Sequence, residues 1–303
     1  MTFEMIKPTL DEVAANFSRR QMMYCITGGE PLLCPDWEKI CSYITDLGFP
    51  WGMTSNGTLI DAAMIQRLHR AGMKTVGISL DGLEKTHDAF RGSPGAFRAA
   101  INALRLLCDS HLFYSVQAIT VVTPENLGEL EQLYQLLCEI GIRSWKLTGV
   151  EPIGEARSDP ELQLKPEQYR AFFRFIQEKR ACAPFEVTYA CAHHLPQEYD
   201  NTVRSNHFLC GAGTLIASIT CEGDITACLD IDDRANAVQG NIKVDSFTDV
   251  WRHRFTQFRT NKALTSSICG ACDQRDICHG DSWHTWDFIQ QKPQQCLFRK
   301  LEG

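Results

Sequence analysis

From residue 9 to residue 180, short apolar runs alternate with stretches whose apolar positions recur every three or four residues. The runs at 22–27, 50–55, 74–80, 113–122 and 144–149 read as strands, and 9–20, 36–47, 61–71, 94–109, 125–140 and 165–180 read as helices. Pro35-Asp36 and Asp61 stand where two helices begin, and Gly48, Gly72 and Gly141 where three end. Such strand–helix alternation predicts a parallel sheet covered by helices. After residue 185 the periodicity lapses. The stretch 208–243 reads as a hairpin, with strands at 216–221 and 225–229 around Glu222-Gly223-Asp224. Residues 246–260 read as an amphipathic helix capped by Ser246 or Thr248. The expected division is a first domain over 1–190 and a second over 200–303.

Polar residues gather just after the strands: Gly28-Gly29-Glu30, Ser55-Asn56-Gly57, Ser79 with Asp81-Gly82, and Gly149 with Glu151. Ligands of parallel α/β sheets bind at that edge, so the tips read as one composite site. Taken singly, each also suits an ordinary turn, which Gly, Asn and Asp favour.

The net charge of -7 argues against a nucleic-acid surface, which is normally basic. No apolar run reaches the ~20 residues of a membrane helix, and residues 1–17 lack the apolar core of a secretory signal. A cytoplasmic protein with neither nucleic-acid nor membrane partners is expected. The 14 cysteines change the picture, because in such a compartment they are thiols rather than disulfides. Eight are scattered before residue 211; Cys269-x2-Cys272-x5-Cys278 and then Cys296 crowd into the tail. That set suits zinc or an iron–sulfur cluster, and the spacing alone does not choose between them. Cys210, Cys221 and Cys228 flank the expected hairpin, whose pairing would bring them together. His279 and His284 are candidate ligands or neighbours of ligands, whereas His193-His194 reads as a surface feature.

These residues together resemble a known family. Ile26-Thr27-Gly28-Gly29-Glu30-Pro31 resembles the GGEP motif of radical S-adenosylmethionine (SAM) enzymes. Thr54-Ser55-Asn56-Gly57-Thr58 and Ile78-Ser79-Leu80-Asp81-Gly82, with His87 and Arg91 following, resemble that family's next two strand tips. The tail resembles its SPASM extension: Cys210-x12-Gly223-x4-Cys228 fits the first part of that pattern, and Cys269, Cys272, Cys278 and Cys296 fit the rest.

The resemblance implies an α/β fold, a partial (β/α)6 TIM-like barrel followed by a small cysteine-rich domain with a β-hairpin and a short helix. It implies SAM bound through Gly28, Gly29 and Glu30 at its amino group, with Pro31 in the same SAM-binding motif, and through Ser55, Asn56, Ser79, Asp81 and Arg91 at its ribose and carboxylate. It further implies auxiliary [4Fe–4S] clusters, an electron donor and a peptide or protein substrate. The activity would be reductive SAM cleavage followed by hydrogen abstraction from a peptide side chain. Asp230, or Asp224, is a candidate base.

Two departures from the family pattern matter. The C-x3-C-x2-C triplet that holds the SAM-cleaving cluster is absent, since no cysteine precedes Cys25 and none of the others has that spacing. The first barrel strand is therefore expected to be missing, with the exposed sheet edge open to a partner chain and no turnover from the chain as written. The alternative to a shortened enzyme is a non-catalytic SAM-, peptide- or partner-binding relative with a structural iron–sulfur or zinc site. The second departure is Ser282, which stands where the pattern has the last cysteine of C-x3-C. One auxiliary cluster is expected at Cys269, Cys272, Cys278 and Cys296. A second is either held by Cys210, Cys221 and Cys228 with an open or oxygen-ligated position, or lost.

Overall fold

A computed structural model describes residues 1–206 and 210–302. The chain forms two compact units: Thr2–Gly149 with Ala171–Ala190, and Val150–Arg170 with the chain from Cys191 onward.

The first unit is built on six parallel strands, β1 (Tyr24–Ile26), β2 (Trp51–Ser55), β3 (Thr75–Ser79), β4 (Ser115–Val122), β5 (Ser144–Gly149) and β6 (Glu186–Tyr189), in that spatial order. Successive strands lie side by side, as expected when each is joined to the next by a crossover helix. The helices are α1 (Phe3–Asn16), α2 (Trp37–Asp46), α3 (Ala62–Arg70), α4 (Glu84–Arg91), α5 (Ala96–Ser110), α6 (Leu130–Ile140) and α7 (Pro166–Cys182), of which the part from Ala171 belongs to this unit. Trp51, Val76, Ile78, Ala118, Trp145 and Leu147 of the strands and Leu68, Leu104, Leu107, Leu133 and Leu137 of the helices are buried. A sheet covered in this way has apolar strands, which is why the runs stood out in the sequence.

Several boundaries differ from the periodicity. Thr2 caps α1, its hydroxyl accepting the Met5 N–H at 3.3 Å, so that helix starts early and ends at Asn16. The helix expected at 94–109 is preceded by the separate α4, whose buried residues are only Thr86 and His87 and which therefore shows no apolar stripe. The strand β6 shows no apolar run in the sequence because it is short and begins on the exposed Glu186.

The second unit carries an antiparallel sheet of β7 (Ser218–Ile219), β8 (Asp224–Thr226) and β9 (Val238–Asn241). Its helices include α8 (Gln197–Val203), α9 (Arg234–Ala237) and α10 (Phe247–His253). The expected hairpin is present, with shorter strands and a third strand beside it; residues 208 and 209 lie outside the described residues. Ser246 caps α10, accepting the Asp249 N–H at 3.1 Å. Ile225, Val250, Phe255, Phe258, Trp283 and Trp286 form the core. No helix among the described residues is long and apolar enough to cross a membrane.

Candidate functional site

The register aligns the strand tips of the first unit. Ile26 lies opposite Met53, Ser55 opposite Ile78 and Ser79 opposite Ile119, so β1, β2, β3 and β4 deliver their following loops to one edge. At that edge Glu30 is the organising residue. Its carboxylate accepts the Ser55 hydroxyl at 3.0 and 2.9 Å, the Asn56 N–H at 2.8 Å and the Leu32 N–H at 3.2 Å. Pro31 follows, buried, at the start of a 3-10 turn over Pro31–Leu33, and Glu30 caps that turn through the Leu32 N–H. Gly28 has a φ of +148°, and a Cβ at Gly28 or Gly29 would meet nothing within 4 Å. The two glycines thus leave exposed main chain beside a carboxylate, a surface a ligand can approach closely.

Asp81 is fully buried. It accepts the Val121 N–H at 2.8 Å and the Arg91 Nε–H at 2.7 Å, while its own N–H donates to His87 Nδ1 at 2.9 Å. A ring nitrogen that accepts a hydrogen bond is unprotonated, and burial lowers the His87 pKa, so this histidine is neutral. Asn126 spans from Asp81 O to Val121 O at 2.8 Å each. Glu129 accepts from Leu83 N at 2.7 Å and from the Thr86 hydroxyl at 2.6 Å, and its carboxylate sits where a side chain at Gly82 (φ +144°) would intrude. These contacts hold the segment from Asp81 to Arg91, and the Arg91 side chain keeps 32% of its surface exposed. Ser79 and Asn56 are half-buried at the same edge, Asn56 Oδ1 accepting from Thr58 N–H at 2.9 Å.

In the second unit, Cys269, Cys272, Cys278 and Cys296 line one cavity of about 100 Å³ together with His194, Arg275 and Arg299. Burial pushes the Cys278 thiol up to about 12 and raises that of Cys296, so without a cation these groups stay protonated. Arg299 hydrogen-bonds Cys272, which raises the arginine's pKa and supplies positive charge beside the sulfurs. A four-thiol set around a small cavity, with a guanidinium at its edge, fits a thiolate-ligated cluster.

The first auxiliary set is less unified. Cys210 Sγ accepts the Trp283 N–H at 3.4 Å, and Cys228, pushed up to about 12 by burial, has Cys210 among the charges that raise it further. Cys221 is exposed at the hairpin turn with its thiol on Glu222 Oε1 at 3.1 Å. The Ser282 hydroxyl donates to Ala192 O. Asp230 is exposed, and the Cys228 thiol points to it at 3.8 Å. Asp224 pairs with Arg234 and accepts from Asn241 at 2.8 Å. His279 is exposed, its Nε2 3.0 Å from Asp276 O.

His193 and His194 correct the sequence reading. Both are buried rather than on the surface: His193 lies between Glu151, at 2.8 Å, and Asp281, at 3.1 Å, and His194 stacks on Phe298 with ring centroids 5.1 Å apart. Partners 42 and 88 residues away leave no local signal. Asn126 and Glu129 carry no local signal for a similar reason, since each is an ordinary helix-approach residue until the sheet register brings it to the loop after β3.

The Radical SAM superfamily model matches residues 1–137, and the SPASM model, an iron-sulfur cluster-binding domain, matches residues 210–273. The chain is 26% identical over 320 residues to the AdoMet-dependent heme synthase of Methanosarcina barkeri, spanning 99% of this chain and 88% of that protein. It is 29% identical over 276 residues to the mycofactocin maturase MftC of Mycobacterium ulcerans, spanning 89% and 72%. Among solved structures it is similar in fold to Streptococcus suis SuiB, with a TM-score of 0.76 at 16% identity over 98% of this chain and 71% of that one. It is also similar in fold to anSMEcpe with bound AdoMet, with a TM-score of 0.75 at 18% identity over 99% and 84%.

Proposed function

The chain is a radical SAM protein with a SPASM extension, and from that premise we propose an enzyme that binds SAM at the Glu30 edge and modifies a side chain of a peptide or protein. The observation that carries this reading is the Glu30 carboxylate, oriented by Ser55 and Asn56 beside the open main chain of Gly28 and Gly29. A carboxylate held in this way recognises an ammonium group such as that of SAM. Ser55, Asn56 and Ser79 offer the hydroxyl and amide groups that a ribose requires. Arg91, anchored on Asp81 with part of its guanidinium exposed, takes the methionine carboxylate. Cys269, Cys272, Cys278 and Cys296 hold an auxiliary cluster, and Cys210 with Cys228 are the residues that would hold a second. When bound, the family's cofactors supply reductive SAM cleavage and the hydrogen abstraction that follows; an electron donor is required. Peptide chemistry is supported by the name of MftC, a maturase, and by the structure of SuiB bound to the precursor peptide SuiA.

A tetrapyrrole substrate is the second reading, favoured by the heme synthase match, which spans more of both chains than the MftC match does. A SAM-binding relative without turnover is the third, favoured by the absence of C-x3-C-x2-C spacing among the 14 cysteines.

The test is anaerobic reconstitution with iron and sulfide, addition of dithionite and SAM, and mass spectrometry for 5′-deoxyadenosine. It is run on this chain and on one extended upstream in the gene. Formation by either chain supports the enzyme; SAM binding without 5′-deoxyadenosine from both supports the third reading. Titration with an iron porphyrin, followed at its Soret band, separates the two substrate classes. A tight, saturable shift favours the tetrapyrrole.

A further inference from the structure

Glu151, Cys191, His193 and His284 meet inside the second unit, and none of the four belongs to the family's cysteine pattern. One ligand atom from each lies within 4.8 Å of all the others. The Cys191 thiol points to Glu151 Oε1 at 3.2 Å and lies 3.7 Å from His284 Nε2. His193 Nε2 is 2.8 Å from Glu151 Oε2, and His284 Nε2 is 3.9 Å from the same oxygen. The side chains of His193, Glu151 and His284 are 0%, 10% and 11% exposed.

From this donor set we infer a mononuclear zinc site, ligated by Glu151 Oε, Cys191 Sγ, His193 Nε2 and His284 Nε2. Thiolate, carboxylate and imidazole are the three side-chain ligand types that zinc, a borderline-soft cation, takes in tetrahedral sites. With zinc–ligand distances of about 2.0–2.3 Å, neighbouring donors of a tetrahedron stand roughly 3.2–3.8 Å apart, so small side-chain rotations complete the geometry.

A second observation points the same way. His193 Nδ1 lies 3.1 Å from Asp281 Oδ1, and that oxygen is itself fixed by the N–H groups of His194, at 3.2 Å, and Ser282, at 2.8 Å. A carboxylate behind the distal nitrogen of a histidine sets the tautomer and presents the other nitrogen to a metal. Asp281 is 2% exposed, so this support is built into the interior.

Glu151 and Asp281 flank opposite nitrogens of the His193 ring, at 2.8 and 3.1 Å, so one carboxylate supports the ring while the other shares the metal. Zinc takes its thiolate and imidazole ligands deprotonated, so occupancy of the site falls as the pH falls. The site needs neither SAM nor an iron–sulfur cluster.

The experiment uses the full chain purified anaerobically from zinc-supplemented cells and reconstituted with iron and sulfide. Metals are counted by mass spectrometry, and zinc-edge X-ray absorption reads the first shell. The expected result is one zinc per chain with one sulfur and three nitrogen or oxygen neighbours. Cys191→Ser and His284→Gln each lose that zinc while iron and sulfide stay unchanged. A wild-type chain without zinc, a zinc shell of four sulfurs, or full zinc retention in a folded variant overturns the site. The absorption measurement on the wild type needs no variant and decides the matter even where a substitution prevents folding.

Discussion

Ser55 donates its hydroxyl to both oxygens of the Glu30 carboxylate, at 3.0 and 2.9 Å, joining the loop after β1 to the end of β2. The contact orients a carboxylate whose other duty, in the reading above, is to hold an ammonium. Glu30→Gln removes the charge, and a hydrogen bond to a charged group contributes about 1.5–3 kcal/mol. The dissociation constant for SAM should rise roughly 10- to 100-fold by that figure. Ser55→Ala removes only the orienting bond, about 1 kcal/mol or fivefold. Calorimetric titration with SAM reads both; unchanged affinity in Glu30→Gln would remove this edge as the SAM site.

Asp81 is a structural charge before it is a ligand contact. Buried, it satisfies the Val121 N–H and pairs with Arg91. Asp81→Ala leaves a buried N–H and a partly buried guanidinium unpaired, a cost of about 2–4 kcal/mol in unfolding free energy after allowance for the solvent that reaches Arg91. Asp81→Asn keeps an acceptor for Val121 and should cost about half as much. Urea unfolding measures the pair, and equal losses would mean that the Val121 bond is not what Asp81 contributes.

His87 gives a pH dependence of known sign. Its folded-state pKa is lowered, by burial first, from the ordinary value of about 6.5. Above that pH the ring is neutral in folded and unfolded chains alike, and the bond from the Asp81 N–H is intact. Below it the unfolded chain takes up a proton that the folded site resists, so the contribution falls as the pH falls. The stability advantage of wild type over His87→Gln should therefore shrink between pH 7.5 and pH 5. A constant difference in urea midpoint across that range would contradict the neutral, accepting ring.

What was legible in the sequence was local. Gly28-Gly29-Glu30-Pro31 announces its tip because the glycines, the capping carboxylate and the proline that follows it act within four residues, and the apolar strands announce themselves because a covered sheet is apolar on both faces. What depended on register was not legible. Val121 N and Asn126, which fix Asp81 from 40 and 45 residues away, look like ordinary strand and turn positions. His193 and His194, polar residues in an irregular segment, read as surface because nothing nearby in the chain announces Glu151 or Asp281. The helix α4 buries too little to show a stripe.

The cysteines allow a subtraction that separates the two auxiliary sets. Cys269, Cys272, Cys278 and Cys296 line one cavity, so removing any one should lose that cluster's iron and sulfide together rather than a quarter of it. Cys296→Ala is the cleanest choice, because it stands 18 residues beyond Cys278 and leaves the turn around Cys269 and Cys272 untouched. Cys221 is exposed at the hairpin turn with its thiol on Glu222, so Cys221→Ala should leave the iron content unchanged. Cys210→Ala tests whether a second cluster exists: only if Cys210 and Cys228 hold one does iron fall while the Cys296-dependent fraction remains. Iron and sulfide counts with low-temperature electron paramagnetic resonance read all three variants. Iron that survives Cys296→Ala but disappears in Cys221→Ala would reverse the assignment and move the principal cluster to the hairpin.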